Sequence, residues 1–243
     1  METKILEIKN FSKTYAGNKK AVDKLSLDVC AGDIYGFIGQ NGAGKTTTLR
    51  AAVGILQFEE GDILIDGHSV QKEPVACKSI CAYIPDNPDL YDFLTGAQYL
   101  NYISDIFRIG EAQRSERILK YADMFHIRDD LGKLISSYSH GMKQKLAIIG
   151  ALVHDPKLLV LDEPFVGLDP EAAFKLKNVF KSMCENGAAI FFSTHVLDVA
   201  EKLCNKIAII KQGKLVACGL TSEVRGDESL ETVFMEVLEG NEK

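Results

Sequence analysis

The sequence of 243 residues contains no apolar run that approaches the ~18 residues needed to cross a membrane. Its first residues, M-E-T-K-I-L-E-I, lack the charged-then-apolar pattern of a secretory signal. We therefore expect a protein that stays in the cytoplasm. The sequence also has no internal repeat and no low-complexity linker. One large domain, or two closely packed lobes, is the expected organisation.

Positive charge is scarce as well. No block of lysine and arginine occurs, and the formal net charge is −6. This balance argues against nonspecific nucleic-acid binding as a main activity. The six cysteines form no C-x-x-C pair, and no histidine lies close enough in sequence to Cys77 and Cys81 to complete a metal site. Buried, reduced thiols are the expected state.

What the sequence does contain is a glycine-rich turn between an apolar run, 34–38, and a stretch of helical character. Gly39, Gly44, Lys45 and Thr46 match G-x-x-x-x-G-K-[ST], the pattern of a phosphate-binding loop. Glycines allow backbone N–H groups to surround phosphate oxygens, and the positive end of the following helix faces the same anion. Lys45 is predicted to reach the β- and γ-phosphates, and the Thr46 hydroxyl to bind Mg²⁺.

The remaining pattern predicts an α/β fold. Residues 4–30 alternate apolar and polar side chains, as antiparallel strands with one solvated face do, and Tyr15 lies in a predicted turn, 13–20. From Thr95 to about Val153 the apolar spacing is helical almost throughout, which predicts an inserted helical lobe. Uninterrupted apolar strands then alternate with helices, which indicates a parallel sheet covered on both faces.

Two candidate catalytic clusters follow predicted strands. The apolar run 158–161 leads into Asp162 and Glu163, and carboxylates at this position face the crevice where parallel sheets bind ligands. We expect Asp162 to support the Mg²⁺ at Thr46, and Glu163 to orient or deprotonate a water molecule. His195 follows another apolar strand. From its position alone, a γ-phosphate contact and a structural role are equally good interpretations.

Five stretches, in this order, resemble the nucleotide-binding subunit of ATP-binding cassette (ABC) transporters. G-Q-N-G-A-G-K-T resembles the Walker A motif of that family, and S-Y-S-H-G-M-K-Q-K, residues 137–145, stands in the place of its signature, L-S-G-G-Q. L-L-V-L-D-E-P is similar to Walker B, G-L-D-P at 167–170 to the D-loop, and S-T-H at 193–195 to the switch histidine. The resemblance covers nearly the whole chain.

The resemblance implies a P-loop NTPase fold of the RecA-like type. Such a fold has an α/β core with a mainly parallel sheet, an antiparallel β-subdomain and an inserted α-helical subdomain. Residues 1–243 would form a single ABC ATPase domain. Within it, 1–86 and 155–243 would be the catalytic core with its antiparallel β-subdomain, and 87–154 would be the helical subdomain that carries the signature.

The resemblance also implies roles for individual residues. Glu163 would be the catalytic base and His195 the γ-phosphate sensor, while the Tyr15 ring would stack on adenine. Ser139 and Gly141 would contact the γ-phosphate of ATP that is bound by a partner subunit. The residues that it assigns to ATP binding are Tyr15, Gly39, Asn41, Gly42, Gly44, Lys45, Thr46 and Thr47.

The signature departs from the family pattern. His140 stands where the first glycine is usual, but Ser139 and Gly141 remain. The contact with the partner's ATP is therefore expected to survive with altered geometry. Asp169 matches the D-loop aspartate, which communicates across the dimer in that family.

A second departure concerns the metal site. Asp86 occupies the place of the family's Q-loop glutamine. An aspartate is shorter and charged, but it still binds a Mg²⁺-bound water. Asp86 is accordingly a candidate metal residue beside Thr46 and Asp162.

The variant signature, the P-D-N-P-x-L-Y-x-x-L-T segment and the tail S-L-E-T-V-F resemble bacterial exporter-type subunits. The expected protein hydrolyses ATP with Mg²⁺ and pairs, as a homodimer or heterodimer, with a similar ATPase subunit. It would lie on the inner face of the membrane through separate permease subunits. The ATPase subunit of an importer is the alternative, because it shares every catalytic motif.

Two further ABC classes fit the chain less well. A ribosome-acting ATPase normally carries two cassettes, and a DNA-repair ATPase carries long coiled-coil arms. For the permease, Leu90, Tyr91, Phe93 and Leu94 are a candidate docking surface, and ordinary lobe core is an equally good interpretation of them.

Overall fold

The computed structural model describes residues 2–17 and 19–240 of the chain. Strands dominate the first third of the chain, helices dominate its middle, and strands and helices alternate towards its end. In chain order the elements are β1 (Lys4–Tyr15), β2 (Lys19–Cys30), β3 (Ile34–Ile38), α1 (Lys45–Ala52), β4 (Glu60–Ile65), β5 (His68–Ser69), α2 (Pro74–Ile80), β6 (Cys81–Ile84), α3 (Gly96–Ile106), α4 (Glu111–Met124), α5 (His140–Val153), β7 (Leu158–Asp162), α6 (Pro170–Glu185), β8 (Ala189–Thr194), α7 (Leu197–Leu203), β9 (Lys206–Lys211), β10 (Lys214–Leu220), α8 (Thr221–Arg225) and α9 (Leu230–Glu239).

A six-stranded sheet forms the centre, in the order β10-β9-β3-β8-β7-β6. All its neighbouring pairs are parallel except β10 with β9. The apolar runs of its five parallel strands are uninterrupted because both faces of these strands are buried, whereas the edge strand β10 is half-exposed. On β7, Leu159 and Leu161 pack towards the helices α5 and α6, whereas Leu158 and Val160 pack towards the second sheet.

The second sheet is antiparallel, in the order β2-β1-β4-β5. Its apolar side chains, among them Phe11 and Ile63, share a core with Phe37 and Phe191 of the central sheet. One detail differs from the sequence analysis. Tyr15 is the last residue of β1 rather than part of a turn, and residue 18 of the predicted turn lies outside the described residues.

The middle of the chain forms the predicted helical lobe. Thr95 caps α3 with a capping box, because its hydroxyl accepts from the N–H of Gln98 and the Gln98 side chain accepts from the N–H of Thr95. Ser139 caps α5, because its hydroxyl accepts from the N–H of Met142. Helix α5 packs against α3 and α4 on one side and reaches β6 on the other, so it joins the lobe to the central sheet.

The α/β class, the mainly parallel sheet, the antiparallel sheet and the helical insertion are therefore confirmed. The prediction for the cysteines was partly wrong. All six are free thiols, but Cys218 is exposed on the edge strand β10. Cys77 lies in α2 and Cys81 begins β6, so the two do not share a helical face.

His154, directly after α5, is a partly exposed residue of the lobe whose two ring nitrogens are buried. Its ring stacks on Phe107, with ring centroids 3.7 Å apart and planes 8° apart. Both ring nitrogens are buried without a hydrogen-bond partner among the described residues. The carbonyl oxygens of Cys81 and Gly150 are near enough to favour the protonated ring and so raise its pKa. Burial has the larger effect and lowers the pKa of His154 to about 4.

His154 should therefore make stability depend on pH. Below pH 6.5 the unfolded chain takes up a proton on this residue, while the folded chain stays neutral until about pH 4. The free energy of unfolding should fall by about 2 kcal/mol between pH 7.5 and pH 5 on this account. His154→Leu should abolish this decrease in the free energy of unfolding. Urea unfolding at both pH values measures the effect.

Leu152→Ala on α5 is the control, because it removes a buried side chain that does not titrate. It should lower the free energy of unfolding equally at both pH values and leave the pH dependence as in the wild type. An unchanged pH dependence in His154→Leu would contradict the assignment of a neutral, buried imidazole.

Candidate functional site

The phosphate loop, residues 39–46, has no room for side chains where it meets the rest of the fold. A Cβ atom at Gly39 would lie 2.6 Å from the carbonyl oxygen of Ile210, and one at Gly44 would lie 2.6 Å from that of Ala21. Gly44 also has a φ of +112°, which side chains rarely allow. Backbone of β9 and β2 thus packs directly against the loop, and this contact explains two glycines of the motif.

Lys45 begins α1 inside this loop. Its side chain is buried, and its ammonium group donates to the carbonyl oxygens of Gly39 at 2.6 Å and Gln40 at 3.4 Å. The first N–H groups of a helix have no partner within the helix, and Lys45, Thr46 and Thr47 at the start of α1 all line an open cleft. A cation, free N–H groups and the positive end of a helix together make this an anion site.

Asp162 ends β7 and joins three elements. Its carboxylate is 3% exposed and accepts hydrogen bonds from the Thr46 hydroxyl, at 2.6 Å, and from the Ser193 hydroxyl at the end of β8. A buried carboxylate needs such donors, because an unpaired buried charge is costly. The two residues predicted to share Mg²⁺ are thus in direct contact, and Ser193 supports them.

Glu163 follows in a left-handed conformation, with a φ of +50° that is uncommon outside glycine. Its N–H is held by the carbonyl oxygen of Ser193 at 3.2 Å and by the Ser193 hydroxyl at 3.1 Å. Its Oε1 lies 3.0 Å from Nδ1 of His195 and 3.6 Å from Nζ of Lys45. Neither contact has hydrogen-bond geometry, so this buried oxygen is left with acceptor capacity for a water or a substrate.

These groups line one cleft with a volume of about 660 Å³. The Tyr15 ring is half-exposed there, and its hydroxyl lies 3.3 Å from the Thr47 hydroxyl. An exposed aromatic face beside an anion site suits a nucleotide base. Gly39 lies behind the loop and His195 beside Glu163. The predicted residues that line the cleft itself are Tyr15, Asn41, Gly42, Gly44, Lys45, Thr46, Thr47, Asp86, Asp162 and Glu163.

The predicted signature residues lie elsewhere, since none of the described residues that line the cleft belongs to 137–145. Ser139 is exposed at the start of α5, and its hydroxyl accepts from the N–H of Met142 at 3.3 Å. A Cβ atom at Gly141 would lie 2.8 Å from the carbonyl oxygen of Gly167. The His140 ring packs against the same glycine, because a Cβ there would lie 2.7 Å from its Cδ2.

Asp169, the predicted D-loop aspartate, connects two helices. One of its oxygens accepts from the N–H of Ala172 at 2.8 Å and caps α6. The other lies 2.7 Å from the Lys145 ammonium of α5. The Lys145 hydrogen bond and the Ala172 N–H lower the pKa of Asp169 to about 2. The D-loop is thus tied to the signature helix of its own chain.

Two residues of the site, Ser193 and Lys145, were missed by the sequence analysis. Ser193 lies opposite Asp162 in the parallel register of β8 with β7, which no local pattern specifies. The available signal was a small polar residue at the end of an apolar strand. Lys145 is one charge among several near the signature, and its partner is distant in sequence.

Comparison with known proteins identifies the family. A protein-family model described as ABC transporter matches residues 22–166. This chain belongs to the ABC transporter family. The resemblance read from the five motifs is confirmed, and the chain is an ABC transporter ATP-binding protein and an ATPase.

Individual relatives agree with this. The uncharacterized ABC transporter ATP-binding protein YhcH of Bacillus subtilis (strain 168) is 36% identical over 239 residues, which are 98% of this chain and 77% of YhcH. The SkfA peptide export ATP-binding protein SkfE of the same organism is 35% identical over 217 residues, 87% of each chain. A solved structure of the ATP-binding subunit of an ABC transporter superposes with a TM-score of 0.92 and 31% identity, over 96% of this chain and 99% of that one.

The described part of this ABC protein holds no helix that is both long and apolar enough to span a membrane.

Ser193→Ala tests whether the Ser193 hydroxyl stabilises Asp162 and Glu163 of the ABC protein through its hydrogen bonds. Removal of a buried donor to a charged group should lower the free energy of unfolding by about 1.5–3 kcal/mol. ATP hydrolysis should fall about tenfold, because Asp162 and the Glu163 backbone lose one donor or acceptor each. Urea unfolding and steady-state ATPase assays measure the two effects. Ser79→Ala, which removes a hydroxyl bonded within α2, is the control, and equal ATPase rates in both variants would contradict this role.

Proposed function

We propose that this ABC protein hydrolyses ATP to power the export of a substrate through separate membrane subunits. One observation carries the catalytic part. A buried Glu163 oxygen lies between Lys45 and His195, next to the hydroxyl–carboxylate pair of Thr46 and Asp162. An anion site, an unsatisfied base and an oxygen-rich metal site in one cleft are the parts that phosphoryl transfer to water requires.

ATP fits the cleft in one orientation. Its triphosphate belongs in the loop, where Lys45 and the start of α1 supply positive charge. The base then belongs against the half-exposed ring of Tyr15, whose hydroxyl contacts that of Thr47, the residue directly after the loop. Asn41, Gly42 and Gly44 also line the cleft, and the two glycines offer backbone groups rather than side-chain bulk.

Mg²⁺ suits the donors that are present. The groups at this point of the cleft are a hydroxyl and carboxylates, which are hard oxygen ligands. Thr46 and Asp162 would hold the ion, and Asp86 lies in the same cleft as a further carboxylate. When bound, the ion neutralises and orients the β- and γ-phosphate oxygens.

Glu163 has the position of a general base. Its carboxylate is buried, its free Oε1 accepts a proton from a water molecule, and its backbone is fixed by Ser193. His195 is half-exposed at 3.0 Å from that oxygen, so it would contact both the carboxylate and a γ-phosphate in the cleft. Lys45 would stabilise the charge that develops on the phosphate.

A second cassette is needed to complete the site. Ser139 and the N-terminal end of α5 are exposed and lie outside the chain's own cleft. They form an anion site that would receive the γ-phosphate bound by another subunit, with Gly141 allowing close approach. Through its ion pair with Lys145, Asp169 would couple conformational changes in the cleft to that contact. We therefore propose a head-to-tail dimer with a second copy or a similar ATPase.

Glu163→Gln should keep ATP binding and lose hydrolysis. Loss of a general base lowers kcat by at least about 100-fold, and the unhydrolysed ATP should hold two cassettes together. Phosphate release and size-exclusion chromatography with ATP and Mg²⁺ measure the two effects. Glu171→Gln, an exposed glutamate on α6, is the control. Wild-type turnover in Glu163→Gln would remove this residue from the mechanism.

Two observations support the proposal of export: the similarity to SkfE and an exposed aromatic surface. SkfE, an ATP-binding protein of peptide export, is similar over 87% of this chain. Tyr91, Phe93 and Tyr102 form an exposed aromatic patch, with ring centroids 5.9 Å and 5.7 Å apart. Leu90 and Leu94 pack against the lobe core instead, so only part of the docking surface proposed from the sequence is open. A patch of this kind suits a membrane subunit's cytoplasmic helix.

Phe93→Glu tests the aromatic patch. Phe93 is 76% exposed, so the substitution should not disturb folding, but a charge in an apolar contact should weaken co-purification with the membrane subunit by at least about tenfold. ATP affinity should not change. Phe174→Glu on α6, where Phe174 is 64% exposed, is the matched control.

Equal co-purification of the two variants would contradict docking at the aromatic patch. A permease that co-purifies together with an extracellular binding protein would contradict export and support the importer alternative.

A further inference from the structure

The C-terminal helix α9 is hydrogen-bonded to neighbouring elements at both of its ends. At its start, the N–H of Leu230 donates to a carboxylate oxygen of Glu201 on α7 at 2.8 Å, and Leu230 itself is fully buried. At its end, the ammonium group of Lys211 donates to the carbonyl oxygens of Val237, at 2.7 Å, and Leu238, at 3.0 Å. Helix α9 has no basic residue in its own last turn, so Lys211 supplies the cation that stabilises this negative helix end.

Lys211 is also the last residue of the strand that backs the phosphate loop. The preceding residue, Ile210, has its carbonyl oxygen against Gly39 so closely that no Cβ would fit. Two residues later, the N–H of Gly213 donates to the carbonyl oxygen of Ala43 at 2.9 Å. Segment 210–213 therefore touches the loop at both sides of Lys211, and any shift of this segment moves backbone that contacts the loop.

The last turn of α9 faces the loop as well. Leu238 lines a small cavity of about 240 Å³ together with Lys211 and the loop residues Gln40, Asn41 and Gly42. These three loop residues are exposed, so few contacts hold them in place on that side. Leu238 thus faces these loop residues across the cavity, and the hydrogen bond from Lys211 to its carbonyl oxygen holds the backbone of Leu238 in this position.

We propose that Lys211 is a positioning residue for the phosphate loop, which it holds in its phosphate-binding shape through the last turn of α9. Lys211 does not line the nucleotide cleft, so it acts on ATP only through 210–213 and Leu238. This inference goes beyond the proposed export function and requires only that the chain binds ATP in the loop.

Lys211→Met tests the proposal with the chain otherwise complete. It keeps the length of the side chain and removes the donor. KM for ATP should rise about threefold to tenfold with kcat within about twofold, because a hydrogen-bonded charge is lost and its effect reaches the loop indirectly. The inhibition constant of tripolyphosphate, which has no base, should rise by the same factor. Amide hydrogen exchange of residues 39–44 should become faster.

Three variants separate positioning from general stability. Lys211→Arg should restore KM, because a guanidinium also donates to two carbonyls. Lys133→Met removes an exposed lysine of the helical lobe whose ammonium group lies 2.6 Å from a carboxylate oxygen of Asp130, and it should leave KM unchanged. Val237→Pro should distort the last turn of α9 and raise KM like Lys211→Met, and the double variant should be no worse than either single one.

Several outcomes would overturn the proposal. A lower melting temperature with unchanged KM would make Lys211 merely structural. A higher KM for ATP with an unchanged tripolyphosphate constant would place the effect at the base and not at the loop. Additive effects of Lys211→Met and Val237→Pro would separate Lys211 from α9. Absence of ATP binding in the wild type would instead count against the nucleotide site itself.

Discussion

The carboxylate of Asp162 is the interaction on which the site depends. It lies at the end of the buried strand β7, and its two oxygens accept from Thr46 of the phosphate loop and from Ser193 of β8. Ser193 in turn holds the backbone of Glu163. A buried charge imposes such partners because it is costly without them. The loop, the base and two strands are therefore held in one arrangement by one side chain.

The chain segment that follows β7 leads from the catalytic carboxylates to residues that contact the signature. After Glu163 the chain passes Gly167, which packs against His140 and Gly141, and ends in Asp169, which pairs with Lys145. The histidine that departs from the family pattern is thus a packing partner of the D-loop in its own chain. A short covalent and packed segment therefore connects Glu163 with the surface that would face a second cassette.

Much of the fold was predictable because local sequence patterns specify its strands and helices. Apolar runs without interruption, such as 158–161, predicted strands buried on both faces, and the helical spacing from Thr95 to Val153 predicted the lobe. Helix α2 was missed, since it is only Pro74–Ile80 and has one fully buried residue, Cys77. Tyr15 was placed in a turn because the end of a twisted hairpin has no clear periodicity.

The sequence alone determined the chemistry of the site: a phosphate loop with Lys45 and Thr46, two carboxylates after a strand, and a histidine after another strand. It did so because these groups lie within short motifs whose spacing reflects local backbone geometry. Only the tertiary structure decided which groups meet. The contact of Glu163 with Lys45, the support from Ser193 and the tie from Lys211 to α9 join residues far apart in the chain. Strand order and register create those contacts, and no local pattern encodes either.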